Sequence, residues 1–138
     1  MKVLIIGLPG SGKTTLAEKL TKLLNANWIN ADKIREKYND WDFSEEGVLR
    51  QAKRMGDLAD KLKGKFIVAD FICPYKLGRN LFSPDYLIWM DTISKGRLPT
   101  FDKSFEKPEK YNLRITKKKY NINSIILDIK NKYKLLCE

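Results

Sequence analysis

Residues 7–14 read GLPGSGKT and stand between an apolar run at 2–6 and a segment with helical apolar spacing. They fit the pattern G-x-x-x-x-G-K-[S/T], whose glycines let backbone N–H groups and a helix N-terminus surround a phosphate. Lys13 is then expected to reach the β- and γ-phosphates of ATP, and the Thr14 hydroxyl to join a Mg²⁺ shell. The alternative is a glycine-rich turn that binds nothing. The predicted nucleotide-binding residues are Gly7, Pro9, Gly10, Ser11, Gly12, Lys13, Thr14 and Thr15.

Strand-like and helix-like segments alternate outward from this loop. Short apolar runs predict strands at 2–6, 27–29, 65–71, 86–91 and 125–129, and a long apolar stripe predicts a helix over 44–62. Strands separated by helices indicate a parallel sheet with right-handed crossovers. We therefore expect one α/β domain over residues 1–138, a three-layer P-loop NTPase of the mononucleotide-kinase type with about five strands.

Residues 94–116 break this alternation. The segment is polar, contains Pro99 and Pro108, and carries six basic residues, among them Lys95 and Arg97. A stretch of that length without periodicity is either a mobile lid or an ordered surface loop. The sequence leaves both readings open.

The composition limits the chemistry. The chain has 138 residues, a formal net charge of +10 and no histidine, so anionic ligands are favoured and an imidazole base is excluded. No apolar segment is long enough to span a bilayer. Cys73 and Cys137, without an export signal, predict a reducing compartment, and we expect the cytoplasm.

Acidic residues follow two of the predicted strands. Asp32 comes after the second strand, and in such a sheet ligands gather at the carboxyl ends of the strands. A carboxylate there can orient an acceptor hydroxyl, and Arg35, one helical turn later, can hold an anionic acceptor. The alternative is that Asp32 caps a helix beginning near Lys33. Asp70 ends the third strand and is either a Mg²⁺ contact or a capping or ion-pairing residue.

Four blocks of the sequence resemble the adenylylsulfate (APS) kinases. They are residues 7–17 (GLPGSGKTTLA), 30–35 (NADKIR), 43–46 (FSEE) running into 54–56 (RMG), and 71–75 (FICPY) followed by Arg79. The likeness covers roughly the first 80 residues and continues more weakly to Phe105. It implies that Lys13, Asp32 and Arg35 are catalytic, that Ile72 lines the substrate pocket and that Phe105 faces an adenine ring. The implied acceptor-binding residues are Asp32, Arg35, Phe43, Arg54, Phe71, Ile72, Arg79 and Phe105.

The chain also departs from that family. Asn30 stands where the family has an acidic residue, Val48 where it has an arginine, and Gln51 where it has an asparagine. Cys73 replaces a serine, and a long lid is reduced to residues 95–103. The arginine that is missing at Val48 would make a charge-assisted contact with an anionic acceptor, and the loss of such a contact costs about 1.5–3 kcal/mol.

The resemblance implies an ATP- and Mg²⁺-dependent kinase that phosphorylates the 3′-hydroxyl of adenylylsulfate, a small anionic nucleotide. Two alternatives stay open at this stage. A polynucleotide 5′-hydroxyl kinase, acting on an RNA or DNA end, would also use Asn30, Asp32 and Arg35 after this type of loop. A nucleotide-binding module with little turnover is the second. No membrane partner is expected, and monomer and homodimer are both open.

Overall fold

The computed structural model describes residues 1–137 and contains a five-stranded parallel sheet with the strand order β2-β3-β1-β4-β5. Helices cover both faces of this sheet, so the predicted three-layer α/β fold is confirmed. The elements in chain order are β1 Lys2–Ile6, α1 Lys13–Leu24, β2 Asn27–Asn30, α2 Ala31–Tyr38, α3 Glu45–Lys61, β3 Ile67–Asp70, α4 Lys76–Phe82, β4 Tyr86–Met90, α5 Pro99–Ser104, β5 Leu113–Ile115 and α6 Ile122–Leu136. None of the helices in residues 1–137 has the length and apolar character that crossing a bilayer requires.

Strand β1 lies at the centre of the sheet and contributes side chains to both apolar layers. Val3 and Ile5 pack with α1 and α6 on one face, whereas Leu4 and Ile6 pack with α2, α3 and α4 on the other. All four side chains are fully buried. Successive side chains of a strand point to opposite faces, so a continuous apolar run is what a strand covered on both faces requires.

The long helix α3 begins where its sequence predicts. The Ser44 side chain accepts a hydrogen bond from the Gly47 amide at 3.2 Å, and Glu45 and Glu46 occupy the first turn. A polar N-cap and acidic residues both stabilise the electropositive start of a helix. The predicted helix over 44–62 is therefore confirmed to within one residue at each end.

The predicted strand at 125–129 is wrong, because these residues belong to α6. Ile122, Ile125, Ile126 and Ile129 recur with helical spacing, and Ile125 and Ile129 are buried against the α1 side of the sheet. Their β-branched composition suggested a strand, but the spacing decided the structure. Asn121 caps this helix by accepting a hydrogen bond from the Ser124 amide at 3.1 Å.

The fifth strand instead lies inside the segment 94–116. Strand β5 has only three residues and pairs with β4, so it gives no recognisable apolar run. The same segment contains α5, which starts at Pro99 and buries Phe101. Helix α4, between β3 and β4, was also absent from the sequence-based prediction.

Candidate active site

A cleft of about 680 Å³ opens at the carboxyl ends of β1, β2 and β3, where ligands bind in open parallel sheets. The loop after β1 forms one side of it, and the segments after β2 and β3 form the other. It brings together most of the residues that the sequence singled out: Pro9, Gly10, Gly12, Lys13, Thr14, Thr15, Asp32, Arg35, Phe43, Asp70, Phe71 and Ile72 all line it.

The loop at residues 7–14 has the backbone that a phosphate cradle needs. Gly10 and Gly12 have φ angles of 92° and 101°, which side-chain-bearing residues rarely adopt. Ser11 is fully buried, and its hydroxyl has no hydrogen-bond partner within residues 1–137. The amide of Gly7 contacts the carbonyl of Ile72 at 3.4 Å, which ties the loop to the segment after β3.

Lys13 lies at the first turn of α1, with its ammonium group inside the loop. Its Nζ donates a hydrogen bond to the Leu8 carbonyl at 2.9 Å. Burial lowers the pKa of Lys13 to about 8, an effect that the nearby Asp70 carboxylate partly offsets and Arg97 reinforces. A buried ammonium group with so little compensation favours an anionic ligand.

Asp70 connects three elements at the base of the cleft. Its Oδ2 accepts a hydrogen bond from the Thr14 hydroxyl at 3.1 Å, and its Oδ1 accepts one from the Trp28 indole at 2.7 Å. Burial raises the pKa of Asp70, while the hydrogen bonds from Trp28 and Thr14 oppose that rise. These two donors belong to α1 and β2, so Asp70 does not act as a helix cap through these contacts.

Asn30, and not Asp32, caps α2. The Asn30 side chain accepts a hydrogen bond from the Lys33 amide at 3.2 Å. The capping alternative for Asp32 is therefore wrong, and its carboxylate lies exposed in the first turn of α2, on the cleft wall. This position keeps the carboxylate accessible to a ligand.

Arg35 is buried and holds the loop between α2 and α3. Its guanidinium donates hydrogen bonds to the carbonyls of Asp40 and Asp42 at 2.9 and 3.2 Å. It also lies 4.2 Å from the centre of the Phe43 ring. Burial lowers the pKa of Arg35, and the neighbouring carboxylates oppose this. Arg35 thus fixes Phe43 against the cleft as well as lining the cleft itself.

The structure does not place Arg54, Arg79 and Phe105 on the cleft wall. Arg54 pairs with Asp40 at 3.2 Å. Arg79 is buried and donates hydrogen bonds to the carbonyls of Cys73 and Pro74, and Phe105 lies 5.0 Å from its guanidinium. The Arg54 contact holds the loop between α2 and α3, and those of Arg79 hold the segment after β3, so the three residues support the cleft from outside.

Other residues line the cleft that were not proposed as site residues from the sequence. Arg97 and Leu98 come from the segment before α5, and Lys118 and Tyr120 from the loop after β5. Lys118 and Tyr120 could have been predicted if β5 had been located, because ligands gather at the carboxyl ends of parallel strands. Further lining residues are Lys19, Ala31, Val48, Gln51, Cys73 and Met90, together with Asn30, which only the polynucleotide kinase alternative had assigned to the site. Burial raises the pKa of the Cys73 thiol to about 12, so it stays protonated.

Comparisons with known proteins agree with this architecture. Residues 3–69 match the AAA domain family. A probable adenylyl-sulfate kinase from Aeropyrum pernix is 34% identical over 90 residues, which are 57% of this chain and 48% of that protein. The chain therefore spans about half the length of this curated relative.

Solved structures are similar over the whole chain. The crystal structure of APE1195 has a TM-score of 0.78 and 25% identity, and the alignment covers 100% of this chain and 97% of that one. The APS kinase of Mycobacterium tuberculosis, in complex with AMPPNP and APS, has a TM-score of 0.74 at 22% identity, with 96% of each chain covered. The fold is that of the P-loop kinases, and the resemblance to APS kinases seen in the sequence is confirmed.

Proposed function

We propose that this chain transfers the γ-phosphoryl group of ATP to a hydroxyl group, with the 3′-hydroxyl of adenylylsulfate as the acceptor that it matches best. The observation that carries the proposal is the convergence of Lys13, the Thr14–Asp70 pair and Asp32 on one cleft. These groups come from three different segments, and phosphoryl transfer needs all of them together.

The residues present fit the triphosphate of ATP. The loop offers the unpartnered Ser11 hydroxyl and the buried Lys13 ammonium, and the left-handed Gly10 and Gly12 let its amides turn toward an anion. Arg97 brings a further positive charge to the same side of the cleft. Lys13 and Arg97 would bind and orient the phosphates and offset the charge on the transferred group.

The Thr14–Asp70 pair fits a magnesium ion. Hydroxyl and carboxylate oxygens are the hard ligands that Mg²⁺ accepts, and Asp70 already carries two hydrogen bonds that fix its orientation. When bound, magnesium neutralises negative charge on the phosphates. Thr14 and Asp70 would hold it, with the rest of its shell supplied by water and phosphate oxygens.

We assign Asp32 to the acceptor. It lines the same cleft as the phosphate loop, on the first turn of α2, and Asn30 rather than Asp32 caps that helix. Its carboxylate would accept a hydrogen bond from the incoming hydroxyl and take its proton as the phosphate ester forms. Phe43, Phe71 and Ile72 supply an apolar wall for the remainder of the acceptor.

The comparisons favour adenylylsulfate over a polynucleotide end. The curated relative carries the name of an adenylylsulfate kinase, and the M. tuberculosis structure holds APS itself.

The wall at Val48 and Gln51 is neutral and buried, so the charge of an anionic acceptor has to be met elsewhere in the cleft. Arg35 also lines the cleft; one of its terminal nitrogens is engaged by the carbonyls of Asp40 and Asp42, and its remaining N–H groups would meet that charge.

The experiment is phosphoryl transfer from ATP labelled at the γ-phosphate, in Mg²⁺, with adenylylsulfate and a 5′-hydroxyl oligonucleotide offered in parallel. We expect label on adenylylsulfate. Label only on the oligonucleotide would replace the acceptor, and label on neither would favour a binding module with little turnover. Asp32→Asn, assayed beside the wild type, shows whether the observed transfer arises from this cleft.

A further inference from the structure

Trp28 connects an edge strand to the carboxylate at the base of the cleft. In β2 it pairs with Val68 of β3, two residues before the pair formed by Asn30 and Asp70. Its ring packs against the apolar layer on the α1 side of the sheet. From there the indole N–H crosses to β3 and donates a hydrogen bond of 2.7 Å to Asp70 Oδ1.

The two oxygens of Asp70 therefore have different neutral donors. Oδ1 is held by Trp28, and Oδ2 accepts the Thr14 hydroxyl. An indole N–H can only donate, and its rigid ring has no alternative donor to present. Because the partly buried Trp28 ring packs against this apolar layer, the direction of its N–H is restricted, and with it the direction of the Asp70 carboxylate.

We propose that Trp28 is a positioning residue, whose indole N–H orients Asp70 so that the carboxylate and the Thr14 hydroxyl bind the metal of Mg·ATP as one unit. This inference rests on the proposed function, since it assigns a role toward the same metal. Residues that hydrogen-bond a metal ligand typically change metal affinity about ten- to hundredfold when they are replaced. No local sequence signal indicates this role for Trp28.

The test is calorimetric binding of AMPPNP with and without Mg²⁺. Trp28→Phe keeps an aromatic ring at this position and removes the N–H donor together with one ring of the indole; Trp41→Phe, at a residue that is 50% exposed, is the control for the same exchange. We expect the wild type and Trp41→Phe to gain affinity from Mg²⁺. Trp28→Phe should lose about ten- to hundredfold of that gain while keeping its metal-free affinity.

A second measurement avoids replacing Trp28. The chain has three tryptophans, so ¹⁵N-labelled indole groups give three NMR signals; Trp41→Phe and Trp89→Phe identify two of them, and the third belongs to Trp28. Adding Mg²⁺ to the AMPPNP complex should shift the Trp28 signal and leave that of Trp41 in place.

The outcomes separate the two proposals. No AMPPNP binding by the wild type would overturn the proposed function and this inference with it. AMPPNP binding with a Mg²⁺ gain that survives in Trp28→Phe, or a Trp28 signal that does not respond to Mg²⁺, would overturn the positioning role alone.

Discussion

The Thr14 hydroxyl donates a hydrogen bond of 3.1 Å to Asp70 Oδ2, which joins the first turn of α1 to the end of β3. The two residues are 56 positions apart in the chain. The same α1 turn carries Lys13, so the contact fixes the phosphate loop relative to the carboxylate before any ligand binds. A site assembled in advance does not have to reorganise when the substrate arrives.

Removing this hydroxyl should weaken both folding and metal-dependent binding. Thr14→Val keeps the shape of the side chain but leaves the buried Asp70 oxygen without a donor, which costs about 1–3 kcal/mol. Thr14→Ser keeps the hydroxyl and is the matched control. Urea unfolding and AMPPNP calorimetry in Mg²⁺ measure the two effects. Equal behaviour of the two variants would show that the hydrogen bond contributes nothing.

Asp32→Asn should reduce turnover and spare nucleotide binding. The amide cannot take a proton from the acceptor hydroxyl, and general-base catalysis typically contributes about 10²- to 10⁴-fold. Glu36→Gln, also exposed and one helical turn further along α2, is the control for the loss of one negative charge. Steady-state assays give kcat, and calorimetry gives AMPPNP affinity. Unchanged kcat in Asp32→Asn would remove the residue from the reaction.

Arg97 should act on the rate of transfer more than on binding. Its side chain lines the cleft beside the phosphate loop, and the adjacent Gly96 amide is held by Asp102 Oδ1 at 2.7 Å. In other phosphoryl-transfer enzymes an arginine at the transferred group contributes about 10³- to 10⁵-fold. We expect Arg97→Gln to lower kcat strongly.

The control for Arg97 is Lys95→Gln, which removes a neighbouring exposed positive charge that does not line the cleft. It should keep kcat close to that of the wild type. A similar loss in both variants would mean that the segment contributes only general positive charge. A lower AMPPNP affinity with unchanged kcat in Arg97→Gln would make Arg97 a binding residue.

The phosphate loop and the first four strands could be predicted because their signals are local. The loop pattern is complete within residues 7–14, and β1 is a continuous apolar run covered on both faces. Strand β5 could not be found in this way, because it has only three residues and forms through its pairing with β4. The β-branched composition of α6 favoured a strand prediction, whereas the helical spacing of its isoleucines would have predicted the helix.

The site was predictable only where a residue's role follows from its own segment. Arg54 and Arg79 carry the right charge, but Asp40 and two backbone carbonyls already engage them, and sequence does not reveal those partners. Trp28 is a different case. Its ring packs against the core, and its hydrogen bond to Asp70, 42 positions away, is visible only in the fold.

Two glycines give a matched test of the packing of α3 against α4. A Cβ added at Gly56 would lie 2.7 Å from the Leu81 carbonyl oxygen and 3.1 Å from the Phe82 Cα, so the helices would have to move apart. At Gly78 the nearest atoms, in Ala52 and Cys73, are 3.4 Å away. Neither glycine has a positive φ, so alanine fits both backbones.

We expect Gly56→Ala to lower the free energy of unfolding by about 1–3 kcal/mol, as overpacking does. Gly78→Ala should be neutral or raise it by about 0.4–1 kcal/mol, because alanine restricts the unfolded chain. Urea denaturation of both variants measures the difference. Equal stability of the two would contradict the close approach at Leu81.

Lys13 should destabilise the ligand-free protein at neutral pH. Its pKa is lowered from 10.5 to about 8, so below about pH 8 it is charged in both the folded and the unfolded state, and the folded state bears the cost of burying that charge. Between these two values the unfolded chain binds more protons. The contribution of Lys13 to the free energy of unfolding therefore rises with pH across this interval.

Lys13→Met should accordingly be more stable than the wild type at pH 7, by at most about 3.5 kcal/mol, since each pKa unit corresponds to about 1.4 kcal/mol. The advantage should shrink as the pH approaches 10.5, where Lys13 is neutral in both states. The same variant should lose the stabilisation by AMPPNP, because the ammonium group proposed to bind the phosphates is gone. Urea unfolding at several pH values, with and without AMPPNP, measures both effects. A variant that is less stable than the wild type at every pH would show that the buried lysine is well compensated without a ligand.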